Sequence, residues 1–255
     1  MRSSGQTARI NSGASCGRSD KLRSLILGNG EVGRALHDVL APFYETDIFD
    51  IDPPPIDNIE ILHICFPFSP LFVNEVKRYR ARYQPRYTVI HSTVPVGTST
   101  LCGATHSPIR GNHAFMAESI RAFVKFVGGQ DADAVAAYFN RAGMRIAVCR
   151  KSETTELAKL LCTTFYGVCV EYAKAAEQKC DEVGVPFAEA WTLFQRTYNE
   201  GYEAIGRPEY RRPILAPIQG RIGGHCVLPN CELFAFPFAE LVKAVNDRIE
   251  GNQIL

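Results

Sequence analysis

Short apolar runs alternate with amphipathic segments through the first 150 residues of the chain. Runs without a helical period indicate buried strands, whereas apolar residues that recur every three or four positions indicate helices. The predicted strands are 22–27, 47–52, 61–66, 87–92, 106–109, 124–129 and 145–149, and the helices between them include 31–41, 69–83 and 131–143. Strands that alternate with helices are typical of a parallel sheet covered on both faces. We therefore predict an α/β fold built on a Rossmann-type, doubly wound parallel sheet.

After Lys151 the pattern becomes helical. An apolar stripe within 153–184 predicts one long helix, which Gly184 and Pro186 would end; the stripe consists of Leu157, Leu160, Leu161, Phe165, Val168 and Tyr172. A shorter helix at 187–206, an irregular segment and a final helix at 238–248 follow. The expected organisation is a disordered tail at 1–20, a sheet domain at 21–150 and a mostly helical domain at 151–255.

The composition is that of an ordinary globular protein: 46% of the residues are hydrophobic, 22% are charged and the net charge is +1. This balance predicts neither nucleic acid nor a membrane as a partner. The nine cysteines are scattered and have no zinc-type spacing, so free thiols, no metal site and a cytoplasmic location are expected. The first twenty residues are rich in Ser, Gly and Arg, which favours a disordered tail over an organelle transit peptide.

A glycine-rich turn follows the first predicted strand and opens the first helix. It comprises Gly28, Asn29, Gly30, Glu31, Val32 and Gly33, in the pattern G-x-G-x-x-G. Such a turn brings main-chain amides and the positive end of a helix dipole to a pyrophosphate, although a turn without a ligand has the same pattern. Asp50, or alternatively Asp52, lies where a dinucleotide fold places its ribose-binding carboxylate. Since no Arg or Lys follows at once, NAD is favoured over NADP.

Further cofactor contacts are expected beyond the carboxyl ends of the next strands, where ligands bind on such sheets. Phe66 and Pro67 follow the third strand, and Thr93 follows the fourth.

Four motifs in this order resemble the nucleotide-sugar dehydrogenases, the UDP-glucose and GDP-mannose dehydrogenase family. They are GNGEVG at 28–33, HSTVPVGT at 91–98, ELAK at 156–159 and GGHCVLPN at 223–230. The resemblance implies NAD-dependent oxidation of a sugar alcohol to an aldehyde and then, through a thioester, to a carboxylate. In this interpretation Cys226 is the nucleophile, Lys159 stabilises oxyanions and Thr93 lies beside the nicotinamide.

The chain departs from the family at two catalytic positions, in one further segment and in its length. Asn230 stands where the family has an Asp and cannot act as a general base, and Thr163 stands where the family has an Asn. Ile109 and Arg110 replace a segment that often contains an acid. The family's C-terminal domain, which binds the nucleotide sugar, is expected to be missing. Two-electron oxidation of an alcohol is therefore easier to defend than complete oxidation to the acid.

Two other functions remain open at this stage. One is a catalytically silent NAD-binding module or subunit. The other is a short relative of the 6-phosphogluconate and 3-hydroxyacid dehydrogenases, in which Lys159 is catalytic and Cys226 is structural. His225 is either a loop-orienting residue, a base or simply packed, and the Arg residues at 207, 211, 212 and 221 favour a solvated loop over an anion site. A small-molecule substrate is expected, and the long helix is a candidate homodimer interface, although packing within the chain explains its stripe equally well.

Overall fold

The computed structural model of the chain describes residues 22–50, 53–224, 226–250 and 253–254. The predicted tail at 1–20, Asp52 and His225 lie outside the described residues.

Seven strands form one sheet: β1 (Arg23–Leu27), β2 (Glu45–Phe49), β3 (Ile61–Ile64), β4 (Tyr87–Ile90), β5 (Thr105–His106), β6 (Lys125–Gly128) and β7 (Ile146–Cys149). Their order is β2-β1-β3-β4-β5-β6-β7. The first five strands are parallel, while β6 pairs with β5 in the antiparallel direction and β7 is parallel to β6. The α/β, Rossmann-type fold predicted from the sequence is confirmed, with the last two strands reversed.

In the described part of the chain, five helices accompany the sheet: α1 (Glu31–Leu40), α2 (Phe72–Tyr83), α3 (Thr98–Cys102), α4 (Met116–Ala122) and α5 (Ala132–Arg141). The helical period predicted α1, α2 and α5, but not α3 or α4, which are too short to establish a period. Helix α3 is bounded instead by two glycines in left-handed conformation, Gly97 at φ 93° and Gly103 at φ 61°. A 3₁₀ turn, His113–Phe115, leads into α4.

The core lies in two layers, one on each face of the sheet. Successive residues of β1 point to opposite layers, as strand geometry requires: Ile26 packs with Leu36 and Phe139, whereas Leu25 packs with Phe72. Because both faces are covered, β3 is buried at every position, including the polar His63, and has no solvent-exposed face. The sheet is thus covered on both faces, and the glycine turn lies at the carboxyl end of β1.

The second half consists of helices and short turns: α6 (Ser152–Val183), a π-helical segment (Ala188–Leu193), α7 (Phe194–Ala204), a 3₁₀ turn (Pro208–Tyr210), α8 (Val227–Cys231) and α9 (Pro237–Asp247). Two short strands, β8 (Ile249–Glu250) and β9 (Gln253–Ile254), follow. Helix α6 ends at Gly184, whose φ of 76° is left-handed. The single long helix predicted from the apolar period is confirmed.

The apolar stripe of α6 does not face the interior as a whole. Leu160 is fully buried, but Leu157, Leu161, Phe165 and Tyr172 are between 39% and 58% exposed. The face that α8 and α9 cover contains smaller residues, among them Gly167, where an added Cβ would lie 2.7 Å from Val227 Cγ1. Among the described residues, packing therefore covers only part of the stripe: Leu160 is buried, and the Tyr172 ring lies 5.0 Å from that of Trp191 between centroids.

Within the part of the chain that is described, no helix is both long enough and apolar enough to cross a membrane.

Candidate functional site

The positions of the first turn require glycine for different local reasons. Gly28 has a φ of 107°, and a Cβ there would lie 2.7 Å from Phe66 N. A Cβ on Gly33 would overlap with the carbonyl oxygen of Gly28, so this glycine lets α1 pack against the turn. Gly30 is different, because no atom lies within 4 Å of an added Cβ. The turn thus keeps open space beside the N-terminus of α1, which suits a bound pyrophosphate.

Asp50 directly follows β2 and lies beside the glycine turn. Its Oδ1 accepts a hydrogen bond from Asn29 N at 3.4 Å. The neighbouring amide of Gly28 donates to Phe49 O at 2.8 Å, so the turn and the end of β2 are joined. The exposed carboxylate therefore lies at the strand end where the sequence predicts a ribose-binding group.

Phe66, Pro67 and Thr93 lie just beyond β3 and β4, at the same edge of the sheet. The two loops are linked, because Ser92 Oγ donates to Phe66 O at 2.6 Å. The Phe66 ring packs 5.1 Å from the Phe72 ring between centroids, so it also closes one core layer. Thr93 is half-buried next to this link.

Lys159 extends from α6 toward the end of β5. Its ammonium donates to Ile109 O at 2.9 Å. Burial lowers the pKa of Lys159, while the nearby Cys226 thiol opposes this by raising it and Arg110 lowers it further. Lys159 is therefore close enough to interact electrostatically with Cys226, which the sequence predicts to act with it.

Thr163 and Asn230, the two positions that depart from the family pattern, are in contact. Asn230 Nδ2 donates to Thr163 Oγ1 at 3.2 Å, and the Thr163 hydroxyl in turn donates to Lys159 O at 2.8 Å. Asn230 is 6% exposed. The contact joins α8 to α6 next to the main-chain oxygen of Lys159.

His113 is a residue of this site that the sequence did not single out. Its Nε2 lies 2.9 Å from Cys226 Sγ, and its Nδ1 is hydrogen-bonded to Glu31 Oε2. Since a carboxylate only accepts, Nδ1 carries the proton and Nε2 is left to accept from the thiol. The signal that could have found His113 is its position, a short loop after the carboxyl end of β5.

Glu156 joins the ELAK segment to the loop after β4. This residue of α6 is fully buried, and its two carboxylate oxygens accept hydrogen bonds from Gly97 N at 2.6 Å and Ser99 N at 2.8 Å. The carboxylate thereby satisfies main-chain donors at the start of α3. Glu156 thereby joins α6, three residues before Lys159, to the loop that follows Thr93.

Three histidines and a lysine are buried in the sheet beneath the site. His91 Nδ1 donates to Ser107 O at 2.7 Å, so its Nε2 accepts from His63 Nδ1 at 3.0 Å. Lys125 Nζ donates to the same carbonyl at 3.1 Å. Burial lowers the pKa of His63 and of His106 to about 3 and that of Lys125 to about 7, and it also lowers the pKa of His91.

Among the described residues, no group of three or more His, Cys, Asp and Glu side chains is suited to hold a metal ion. Eight cysteines lie in this part of the chain, and all eight are free thiols, as predicted for them.

No protein-family model and no curated protein matches the sequence. Solved structures do match the fold. The UDP-D-ManNAc dehydrogenase of Pyrococcus horikoshii superposes with a TM-score of 0.72 at 19% identity, over 89% of this chain and 68% of that chain. The NDP-N-acetyl-D-galactosaminuronic acid dehydrogenase of Methanosarcina mazei gives 0.64 at 13% identity, over 90% and 66%. The 3-hydroxyisobutyrate dehydrogenase of Mycobacterium tuberculosis gives 0.63 at 13%, over 89% and 93%.

These likenesses define the class of fold. The chain has the Rossmann-type, 3-hydroxyacid dehydrogenase-like architecture, with a long helix after the sheet.

Proposed function

We propose that the protein is an NAD-dependent oxidoreductase that acts on the CH–OH group of a sugar, a nucleotide sugar or another polar alcohol. The observation that carries this proposal is the link from Cys226 through His113 to Glu31, the first residue of α1. It joins the loop that carries the cysteine to the glycine turn, although 113 positions of sequence separate Cys226 from His113.

The chain's own groups can be given roles around that link. The amides at the start of α1 would hold the pyrophosphate and Asp50 the ribose hydroxyls. Bound NAD would supply the hydride acceptor. Lys159, held by Ile109 O, would stabilise an oxyanion on the substrate, and Cys226 would attack the aldehyde carbon. Thr163 and Asn230 would position the lysine from behind.

The preference for NAD over NADP rests on Asp50, because a carboxylate at the ribose repels a 2′-phosphate. Calorimetric titration of the full chain with each cofactor tests the preference. We expect NAD to bind and NADP to bind more weakly, and Asp50→Asn should narrow the difference. Equal affinity of the wild type for both would contradict it.

The size of the substrate is the main difference between two candidate functions. The fold resembles both the UDP-D-ManNAc dehydrogenase and the 3-hydroxyisobutyrate dehydrogenase. The second likeness supports, as an alternative, a small hydroxy acid oxidised with Lys159 alone. In that alternative Cys226 has no chemical role.

One set of assays separates these functions. NADH formation is measured with UDP-N-acetylmannosamine, UDP-glucose, GDP-mannose and 3-hydroxyisobutyrate, for the wild type, Cys226→Ser and Lys159→Ala. The main proposal predicts turnover of a sugar substrate that both substitutions reduce. Loss with Lys159→Ala and retention with Cys226→Ser would select the hydroxyacid alternative. Tight NAD binding without turnover of any compound would select a silent NAD-binding module.

We also propose a homodimer through the exposed stripe of α6, since contiguous apolar surface of this kind marks interfaces. Phe165 lies at its centre and is 58% exposed. Phe165→Glu should convert a dimer into a monomer in light scattering, whereas Leu71→Glu, at an exposed site before α2, should not. A wild-type monomer would refute the interface.

We also propose that 21–150 form the cofactor domain, that 151–255 form the helical domain and that the protein is located in the cytoplasm.

A further inference from the structure

Cys226, His113 and Glu31 form a thiol, imidazole and carboxylate relay, and His113 lies in none of the four motifs described above. We propose that His113, held by Glu31, is the base that takes the Cys226 proton and then activates the water that hydrolyses a thioester on Cys226. The inference deepens the proposed function, from which the natural acyl group would come. The acyl transfer itself requires no cofactor, so it can be tested separately.

The hydrogen bonds fix the direction of proton transfer. Glu31 accepts from His113 Nδ1, which holds the ring in the tautomer whose Nε2 has a free lone pair. That nitrogen lies 2.9 Å from Cys226 Sγ, within the distance needed for proton transfer from the thiol. The arrangement follows the general logic of a nucleophile, a base and a group that orients the base.

The charges around the relay support both steps. Glu31 faces His113 from α1 and stabilises the imidazolium formed when the thiol is deprotonated. Lys159 faces Cys226 from α6, with Arg110 next to it, and provides positive charge for the thiolate and for an oxyanion. The side chains of His113 and Glu31 are 42% and 56% exposed, so water reaches the base.

The residue that would otherwise activate water is not available. Asn230 has no basic group, and its amide is buried and donates to Thr163 Oγ1. Among the described residues, His113 is the basic side chain in hydrogen-bond contact with the thiol. It therefore supplies the basic group that Asn230 lacks.

A simple ester provides the balanced reaction. His113 removes the thiol proton, and Cys226 sulfur adds to the carbonyl of p-nitrophenyl acetate. The C–O bond to p-nitrophenol breaks, and the leaving oxygen takes the proton from the imidazolium. Water then adds to the thioester and loses a proton to His113, the C–S bond breaks, and the thiolate recovers that proton. The products are p-nitrophenol, the free enzyme and acetic acid, which releases its proton to solvent as acetate, with no oxidant or reductant involved.

The experiment measures p-nitrophenol release by the full chain without NAD. We expect turnover in the wild type, loss in Cys226→Ser, and a decrease on the order of 10²-fold in His113→Gln, as is usual for removal of a general base. His113→Ala should recover activity when imidazole is added, which a purely structural role would not produce. His37→Gln, a substitution of a histidine elsewhere on α1, is the matched control and should not change the rate.

Glu31 acts through His113 and is a positioning residue. Glu31→Gln should slow turnover in the wild type, but should have no further effect in a protein that already carries His113→Gln. Two independent effects that multiply would instead indicate a separate structural role for Glu31 and would overturn its place in the relay.

A second measurement follows the acyl-enzyme directly by peptide mass spectrometry. Near pH 9, where an ordinary thiol ionises unaided, His113→Gln should accumulate acetyl-Cys226 that the wild type hydrolyses. Equal steady-state rates in His113→Gln and the wild type, absence of rescue by imidazole, or absence of Cys226-dependent turnover would each overturn the proposal. If one of these results is found while NADH still forms, the relay is refuted and the proposed oxidoreductase activity stands. If the ester is turned over but no NADH forms, the oxidoreductase activity alone is refuted.

Discussion

Asn230 Nδ2 donates a hydrogen bond to Thr163 Oγ1 at 3.2 Å, across 67 residues of sequence. The two side chains replace an Asp and an Asn of the family that the sequence resembles, so the two departures form one contact. The Thr163 hydroxyl already donates to Lys159 O, which leaves a lone pair toward the Asn230 amide. The hydrogen-bond donor of Asn230 and the acceptor of Thr163 are therefore matched.

Restoring the acid alone should be unfavourable. Asn230→Asp would place a buried carboxylate against the Thr163 oxygen, and we expect a loss of about 1–3 kcal/mol in the free energy of unfolding. The double substitution Thr163→Asn with Asn230→Asp returns an amide donor to the carboxylate and should recover part of that loss. Denaturant unfolding of the four proteins measures the coupling. Strictly additive effects would show that the contact has no energetic role.

The glycine turn gives a prediction that separates binding from folding. Gly30→Ala should fold normally because no atom lies within 4 Å of the added Cβ, but the methyl group would occupy the space expected for the pyrophosphate. We expect NAD affinity to fall at least about tenfold, since close backbone approach is lost, with an unchanged melting temperature. Gly33→Ala is the contrasting variant and should destabilise the fold, because its Cβ overlaps with Gly28 O. Unchanged NAD affinity in Gly30→Ala would contradict the placement of the phosphates.

Glu156 should be important for stability as well as position. Glu156→Gln retains one acceptor but turns an NH₂ group toward a main-chain amide, so either Gly97 N or Ser99 N loses its partner. We expect a loss of about 2 kcal/mol, typical for a buried hydrogen bond to a charged group. Glu153→Gln, at a half-buried carboxylate one turn earlier in α6, is the control and should change stability little, because the Gln amide oxygen can still accept from the Thr100 hydroxyl. A loss in the control as large as in Glu156→Gln would refute the specific role of the carboxylate.

The buried bases predict how stability depends on pH. In the folded protein the pKa of Lys125 is lowered by burial to about 7, so between about pH 7 and its ordinary value of 10.5 the unfolded chain binds the extra proton. Lys125 should therefore make stability rise with pH above about pH 7, by up to about tenfold per pH unit in the unfolding equilibrium. Above about pH 9 this rise is opposed by Cys65, whose pKa burial raises to about 12, because the unfolded chain loses that thiol proton first. Lys125→Met should abolish the rise, while Lys179→Met, at an exposed lysine, should retain it. A flat profile in the wild type would contradict a buried, uncharged lysine.

The histidines act in the same direction at lower pH. His63 and His106 have pKa values lowered to about 3, so between about pH 3 and 6.5 protons bind the unfolded chain preferentially and stability falls as pH falls. His106→Gln removes one such group and can still donate to Thr155, so its loss of stability between pH 7 and 5 should be smaller than that of the wild type. An unchanged slope would show that His106 is not buried as a neutral base.

The sequence predicted those features that depend on local periodicity and turn chemistry. The strands, the long helix and the glycine turn are of this kind, because a buried strand or a left-handed glycine leaves a mark at its own position. The reversal of β6 leaves no such mark, since strand direction is set by how the chain crosses the sheet. The contact between His113 and Cys226 likewise depends on tertiary packing across 113 residues. The stripe on α6 predicted a helix correctly, but periodicity does not tell whether its partner lies in the same chain.

The most direct test of the account combines turnover with the fate of Cys226 in one sample. The full chain is mixed with NAD and UDP-N-acetylmannosamine or 3-hydroxyisobutyrate, NADH is followed spectroscopically, and the protein is quenched for mass analysis of the Cys226 peptide. We predict NADH formation with the sugar nucleotide and a substrate-derived adduct on Cys226 that is absent in Cys226→Ser and more persistent in His113→Gln. NADH formation at the wild-type rate in Cys226→Ser, with no adduct in any protein, would contradict the account.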